Sequence, residues 1–171
     1  MAKPKTHKFD EKVDISFIQY IKNSLSGEVE LQRELERVLG EDEAHRILKE
    51  WATKKTSEAI REILENSGIK IQNLRDFKKY MDEMWLSERI SKTHTCETFD
   101  SKSDDVTYKV TECIWAKAMR ELDAADLGLL TMCDIDFVSA SIYNPNLKLI
   151  REKTLMNGDD YCDFTYVWKN E

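Results

Sequence analysis

Chain-breaking residues are scarce in this sequence, and that scarcity constrains the fold more than any other feature. The 171 residues include two prolines and five glycines, so few positions favour tight turns or interrupt a helix. No Pro-, Gly- or Ser-rich linker and no repeat of fixed period divides the chain. One hydrophobic core is sufficient at this length. We therefore predict a single domain over residues 1–171, mainly helical over 1–84 and mixed over 85–171.

Apolar residues recur with helical spacing through the first part of the chain. The first clear stripe runs from Leu31 to Leu39 and ends at Gly40, with Ser26 as a candidate N-cap. A shorter helix precedes it over residues 15–25. Two further helices are predicted, one over residues 44–64 that ends at Gly68 and one over residues 74–84 that Asn73 caps.

The second part alternates strand-like and helical patterns. β-branched and aromatic residues over 86–99 and 106–114 flank a polar tract at 100–105, which predicts a hairpin. Two helices follow, the first from Ile114 and the second after Asp126, ending at Asn144-Pro145. A second hairpin, 147–156 with 161–169, closes around Asn157-Gly158. This order predicts the α+β class, with a helical N-terminal half and an antiparallel sheet of two hairpins separated by a helix pair.

Charge and cysteine spacing exclude several classes of function. The net charge is −7, from 33 acidic residues against 26 lysines and arginines, which disfavours binding to nucleic acid. No apolar run is long enough for a membrane span or a signal peptide, and no P-loop, Rossmann, zincin or serine-hydrolase motif occurs. The four cysteines lack zinc or disulfide-scaffold spacing, and His94 with Cys96 would supply only two metal ligands. We expect a cytoplasmic protein with reduced thiols, without cofactor, nucleic-acid or membrane partner, and compatible with a homo-oligomer.

The last hairpin suggests a site for a small anionic molecule. A two- or four-residue loop at Asn157-Gly158 places odd residues of the first strand beside even residues of the second. Arg151, Lys153 and Cys162 then share the turn end of an otherwise apolar face, where cations need an anionic partner and would lower the pKa of a thiol. Alternatively, both cations reach water and Cys162 is a small core residue.

Two other thiols stand beside carboxylates. Cys133 lies on an apolar helix stripe with Asp134 and Asp136 close by, although an inert core cysteine would have the same pattern. Cys113 lies where a strand meets a helix, and helix N-terminal N–H groups depress the pKa of a thiol. Glu112 beside it is a candidate general base, or else an exposed strand-end carboxylate.

The last sixty residues carry a series of short motifs and the ending TLMNGDDYCDFTY. The motifs are Glu112-Cys113, Cys133-Asp134, Asn144-Pro145, Arg151, Thr154-Leu155, Gly158-Asp159 and Cys162-Asp163-Phe164. In their order and in this ending, the residues resemble the L-2-amino-thiazoline-4-carboxylic acid hydrolase family.

This resemblance implies hydrolytic opening of a cyclic amidine carboxylate to a carbamoyl amino acid. The reaction needs a base to activate the attacking group, an acid for the departing thiolate and a cation for the carboxylate. On this hypothesis Arg151 binds the carboxylate with Lys153 and Asn144 as further candidates. The candidate catalytic residues are Cys133 or Cys162 as nucleophile or acid, Asp134, Asp136 or Asp159 as partner of the amidinium, and the pair Glu112 and Cys113.

Two other classes remain open from the sequence. Helices that lead into an antiparallel sheet with a cysteine on its final strand also resemble the small-molecule-binding domains of the vinyl-reductase-like superfamily, which mostly bind without turnover. A structural or dimerisation protein without a pocket is the third class. A hydrolase requires thiols and carboxylates that converge on one point, so widely separated and buried cysteines would contradict it.

Overall fold

Helices and strands follow the α+β order that the sequence predicts. The structure is a computed structural model that describes residues 14–98 and 105–169. The helices are α1 Phe17–Leu39, α2 Glu41–Ser67, α3 Leu74–Leu86, α4 Glu88–Ser91, α5 Ile114–Glu121, α6 Ala125–Gly128 and α7 Ile135–Tyr143. The strands are β1 His94–Thr98, β2 Asp105–Cys113, β3 Leu147–Ile150 and β4 Cys162–Trp168, with a π-helical turn at Leu129–Cys133 and a 3-10 turn at Leu155–Asn157.

The four strands form one antiparallel sheet in the order β1-β2-β4-β3. Its inner face packs against α3 and α7, with Phe77 and Tyr108 both fully buried. A second core lies between α1, α2, α5 and α6, where Met119 and Leu127 are buried. Cys113, the last residue of β2, packs against this helical core. The junction of β2 and α5 is therefore the place where the two cores meet.

Helix ends with local signals are confirmed. Gly68 adopts a left-handed conformation after α2, which glycine tolerates best. The Asn73 side chain accepts a hydrogen bond from the backbone N–H of Asp76 and caps α3. Gly40 separates α1 from α2. Among the described residues, no helix is both long and apolar enough to cross a bilayer.

The predicted N-cap at Ser26 is wrong, because one continuous helix spans both predicted segments. Ser16 caps α1 instead and accepts a hydrogen bond from Gln19. The Ser26 hydroxyl donates to the carbonyl oxygen of Asn23 within the helix. A serine that bonds back to the preceding turn can stay inside a helix.

The first hairpin is confirmed as an antiparallel pair, but its first strand is shorter than predicted. Ser87 caps a short helix by accepting a hydrogen bond from Ile90, so β1 begins only at His94. Five residues of β1 pair with β2. Residues 100–104 of the predicted turn lie outside the described residues.

The short loop predicted for the last hairpin is wrong. β3 and β4 pair with the expected parity, Leu149 opposite Tyr166, but β3 ends at Ile150 and an excursion over 151–161 replaces the tight turn. The carboxylate of Asp163 accepts from the N–H groups of Glu152 and Lys153, at 3.0 and 2.6 Å. Side-chain acceptors thus satisfy donors that a longer strand would have placed in the ladder.

Gly158 ends the 3-10 turn of this excursion, with φ +94°. Asn157-Gly158 therefore forms a helical C-cap and not a two-residue hairpin turn. The turn packs close to α6, because a side chain on Gly128 would meet the Met156 sulfur at 2.6 Å. The absence of a side chain at Gly128 allows this approach.

Candidate active site

An open cleft of about 640 Å³ lies where β1, β2 and α5 meet. Residues from the ends of both strands form one wall, and α5 forms another. Ile18 of α1 and Leu155 of the 3-10 turn supply apolar contacts. A cavity of this volume accommodates a small molecule.

Cys113 stands in the wall of this cleft, at the N-terminus of α5. Its Sγ accepts a hydrogen bond from the backbone N–H of Ala116 at 3.5 Å and caps the helix. Burial raises the pKa of the Cys113 thiol, whereas the N–H groups of Ala116 and Trp115 act in the opposite direction. At neutral pH Cys113 is therefore protonated. The helix N-terminus stabilises negative charge that develops on its sulfur during a reaction.

Glu112 and three cations surround the mouth of the cleft. Glu112 is exposed, and its Oε2 accepts a hydrogen bond from the Thr95 hydroxyl at 2.5 Å. Lys92 and Lys117 form ion pairs within their own helical turns, with Glu88 and Glu121. Arg120 is exposed and forms no ion pair with the described residues.

The thiols of Cys133 and Cys162 meet behind the cleft at the buried hydroxyl of Thr154. Their Sγ atoms lie 3.9 and 3.6 Å from Thr154 Oγ1. The Cys162 Sγ also accepts from the N–H of Leu155 at 3.2 Å, and Leu155 lines the cleft. Burial raises the pKa of Cys133 to about 12, so this thiol remains protonated. Cys133 and Cys162 therefore converge from two different elements, and Cys113 packs with Cys133 against the helical core.

Arg151 and Asp136 form an ion pair beside this thiol cluster. The Arg151 side chain is 5% exposed, and its guanidinium donates to Asp136 Oδ2 at 2.7 Å and to the Cys133 carbonyl oxygen at 3.1 Å. The rings of Phe137 and Phe164 lie 4.9 and 5.3 Å from it. The cation that the sequence assigns to a substrate carboxylate thus has a protein carboxylate as its partner.

Stability should respond to the ionisation of Asp136. Burial raises the pKa of Asp136 to about 6, although Arg151 opposes the shift. An unfolded aspartate titrates near about 3.9, so the folded state binds more protons between roughly pH 4 and pH 6, and this contribution to stability is lost as pH rises through that window. Asp136→Asn has no such titration. In thermal melts at pH 4 to 7, the melting temperature of the variant should therefore increase relative to that of the parent protein as pH rises. The opposite trend would mean that Arg151 dominates the pKa of Asp136.

Four of the other candidate residues have structural partners. Asp134 pairs with Lys49 at 2.9 Å on the surface. Asp159 accepts from the backbone N–H of Thr154 at 2.8 Å, and Asn144 donates to the Ile71 carbonyl oxygen at 2.9 Å. Lys153 is exposed, with its Nζ over the ring of Tyr161. These four residues do not line the cleft. Among the described residues, no group of three or more His, Cys, Asp or Glu side chains could hold a metal ion.

Sequence reasoning missed two residues of the cleft. His94 was considered only as a metal ligand with Cys96, yet it lies opposite Cys113 in the β1–β2 ladder. Arg120 has the ordinary position of a basic residue in the last turn of a helix. Tertiary contacts bring both residues to the cleft, and no spacing in the sequence indicates this.

The fold and the site define an α+β protein with an open small-molecule cleft, whose wall presents a thiol at a helix N-terminus. The family model described as L-2-amino-thiazoline-4-carboxylic acid hydrolase matches residues 20–166, and the chain belongs to this family. The resemblance seen in the last sixty residues is confirmed, and the match extends through the helical half. A search of curated proteins found no significant match.

The fold is also similar to that of a solved structure. The protein is trafficking protein particle complex subunit 3 from Naegleria fowleri, in a crystal structure with covalently bound palmitic acid. The TM-score is 0.52 at 10% sequence identity, and the alignment covers 89% of this chain and 97% of that chain. At this identity the similarity concerns the fold alone.

Proposed function

We propose that this protein is a hydrolase that opens a small cyclic amidine carboxylate, such as 2-amino-thiazoline-4-carboxylate, to a carbamoyl amino acid. Membership of the family over residues 20–166 is the observation that carries the proposal. The open cleft beside Cys113 supports it, because nucleophile, carboxylate and cation line one space. Such a substrate carries a positive amidinium and a negative carboxylate. The cleft offers a charge of opposite sign to each of them.

Cys113 is the nucleophile in this proposal. Its Sγ bonds to the amidine carbon, and the ring carbon–sulfur bond breaks as the departing sulfur takes a proton. Water then adds to the same carbon, the bond to Sγ breaks, and the carbamoyl product leaves with Cys113 again a thiol. The exposed Glu112 carboxylate pairs with the amidinium. This ion pair keeps the amidine protonated, and the protonated amidine has the more electrophilic carbon. Cys162 supports Leu155 in the cleft wall by accepting a hydrogen bond from its backbone N–H.

Arg120 is the proposed partner of the substrate carboxylate. Arg151 is buried on Asp136, whereas Arg120 lines the cleft with its guanidinium beside Gly158. Arg120→Gln should raise KM about 10-fold with little change in kcat, since it removes one charge-assisted contact. The control is Arg61→Gln, an exposed arginine of α2 outside the cleft. Equal KM values for both variants would contradict this assignment.

A direct assay tests the activity. The purified protein is incubated with 2-amino-thiazoline-4-carboxylate, and the ring-opened product is followed by mass spectrometry. Analogues without the carboxylate should react more slowly because they lose the contact to Arg120. An absence of product with this substrate and with other small cyclic amidine carboxylates would overturn the proposal.

A non-catalytic binding role is the second candidate. It is favoured by the fold similarity to a subunit that was crystallised covalently bound to palmitic acid. A thiol such as Cys113 would then hold an acyl group as a thioester. Incubation with a palmitoyl thioester followed by intact-mass measurement distinguishes the two, because binding without turnover leaves a stable adduct and no ring-opened product.

A further inference from the structure

His94 and Cys113 face one another across the first strand pair. They are direct partners in the β1–β2 register, and opposite residues of an antiparallel pair place their side chains on the same face, with Cβ atoms about 5 Å apart. Both residues line the cleft. An imidazole opposite a thiol in one cleft supplies the base and the nucleophile that such catalysis combines.

A β-bulge produces this pairing. Thr95 pairs with Glu112 and Cys96 pairs with Val110, so Thr111 is an extra residue on β2. Val110 is buried, and regular alternation beyond it would have placed Glu112 on the inner face. The extra residue shifts the alternation, so Glu112 is exposed and Cys113 lies opposite His94. Bulges are known to redirect side chains next to active sites.

Thr93 holds the His94 ring through Nδ1. The Thr93 hydroxyl lies 2.9 Å from the Ile90 carbonyl oxygen and 2.9 Å from His94 Nδ1. When the hydroxyl hydrogen points to the Ile90 carbonyl oxygen, Thr93 Oγ1 accepts a hydrogen bond from Nδ1, and Nε2 of that tautomer carries a lone pair.

The surroundings of His94 keep this lone pair available. Burial lowers the pKa of His94, so the ring is neutral at neutral pH. The Trp85 ring packs edge-on against it, with centroids 5.7 Å apart. Within residues 14–98 and 105–169, no donor or acceptor bonds to Nε2. The charged side chains that line the cleft together with His94 are those of Lys92, Glu112, Lys117, Arg120 and Glu121.

We propose that His94 is the general base that activates Cys113, with Thr93 as the residue that positions it; this inference rests on the proposed hydrolase function. His94 Nε2 takes the proton from Sγ as Sγ bonds to the amidine carbon, and then gives it to the departing ring sulfur. In the second half-reaction Nε2 takes a proton from water, and the same proton returns to Sγ when the bond to the enzyme breaks. The extra proton of the amidinium leaves to solvent as the neutral carbamoyl group forms, so atoms and charges balance without a further reactant.

The test measures the reactivity of the thiol itself, so it does not depend on turnover. The full chain is treated with iodoacetamide from pH 5 to pH 9, and peptide mass mapping gives the alkylation rate of each cysteine. In the parent protein the alkylation rate of Cys113 should rise with pH in parallel with the fraction of His94 that is neutral. His94→Gln should lower that rate at pH 7 by at least about 10-fold, and Thr93→Val should lower it less because the imidazole remains.

Two controls separate this effect from damage to the sheet. Thr107→Val removes a strand hydroxyl bonded to Thr165, outside the cleft, and should leave the rate at Cys113 unchanged. The thiol of Cys96 in the same samples should also be unaffected by any of the three variants. If iodoacetamide alkylates Cys113 at the parent rate in both His94→Gln and Thr93→Val, the inference is overturned. If the alkylation rate of Cys113 depends on His94 but the protein opens no cyclic amidine ring, the proposed substrate is wrong and the assignment of His94 as the base for Cys113 stands.

Discussion

Cys113→Ser should lower kcat for ring opening by at least about 10³-fold and leave KM nearly unchanged. A hydroxyl is a far weaker nucleophile than a thiol toward the amidine carbon. Serine is a preferred N-cap residue, so the substitution keeps the hydrogen bond that Cys113 provides to the first turn of α5. The variant should therefore retain the stability of the parent protein, which makes the loss of turnover attributable to the sulfur.

The matched control is Cys96→Ser. Cys96 lies on the neighbouring strand and packs against the sheet core, its Sγ donates a hydrogen bond to the carbonyl oxygen of Glu97 at 3.9 Å, and it does not line the cleft. Steady-state rates of product formation, measured by mass spectrometry, should be the same for this variant and for the parent protein. Full activity of Cys113→Ser would remove Cys113 from the reaction and redirect attention to Cys133 and Cys162.

Local chemistry explains which parts of the fold could be predicted from the sequence. Asn73 and Gly68 act through their own backbone neighbours, so their positions alone indicate where helices begin and end. Ser26 has the same chemistry but makes its hydrogen bond inside a helix. Asn157-Gly158 carries a strong hairpin signal, yet the carboxylate of Asp163 holds the preceding segment out of the ladder. In both cases the observed hydrogen bonds differ from those that the local pattern predicts.

The same distinction applies to the site. The sequence singled out three thiols, and the structure brings Cys133 and Cys162 to one hydroxyl, with Cys113 near them. It could not indicate the bulge at Thr111 that places His94 opposite Cys113, because one extra residue changes the face of every residue after it. The partner of Arg151 was equally hidden, since Asp136 approaches from a helix fifteen positions earlier.

Arg151→Ala should destabilise the protein by about 3 kcal/mol, equivalent to a fall in melting temperature of roughly 10 °C at this chain length. The substitution leaves the carboxylate of Asp136, whose side chain is 33% exposed, without its cation. It also removes the contacts to the Cys133 carbonyl oxygen and to the rings of Phe137 and Phe164. The loss should be smaller at pH 5 than at pH 7, because protonated Asp136 needs no cation.

A double variant distinguishes this structural role from a role in substrate binding. Arg151→Met with Asp136→Leu replaces the ion pair by apolar side chains, which in buried settings is often neutral or stabilising, and should recover most of the lost stability. Arg61→Ala, on an exposed arginine of α2, should change stability by less than about 0.5 kcal/mol. If Arg151 instead binds the substrate carboxylate, Arg151→Ala will raise KM strongly while its thermal melt stays at the parent value. The burial of the guanidinium on Asp136 favours the first outcome, whereas Arg120 lines the cleft without an ion pair to any described residue.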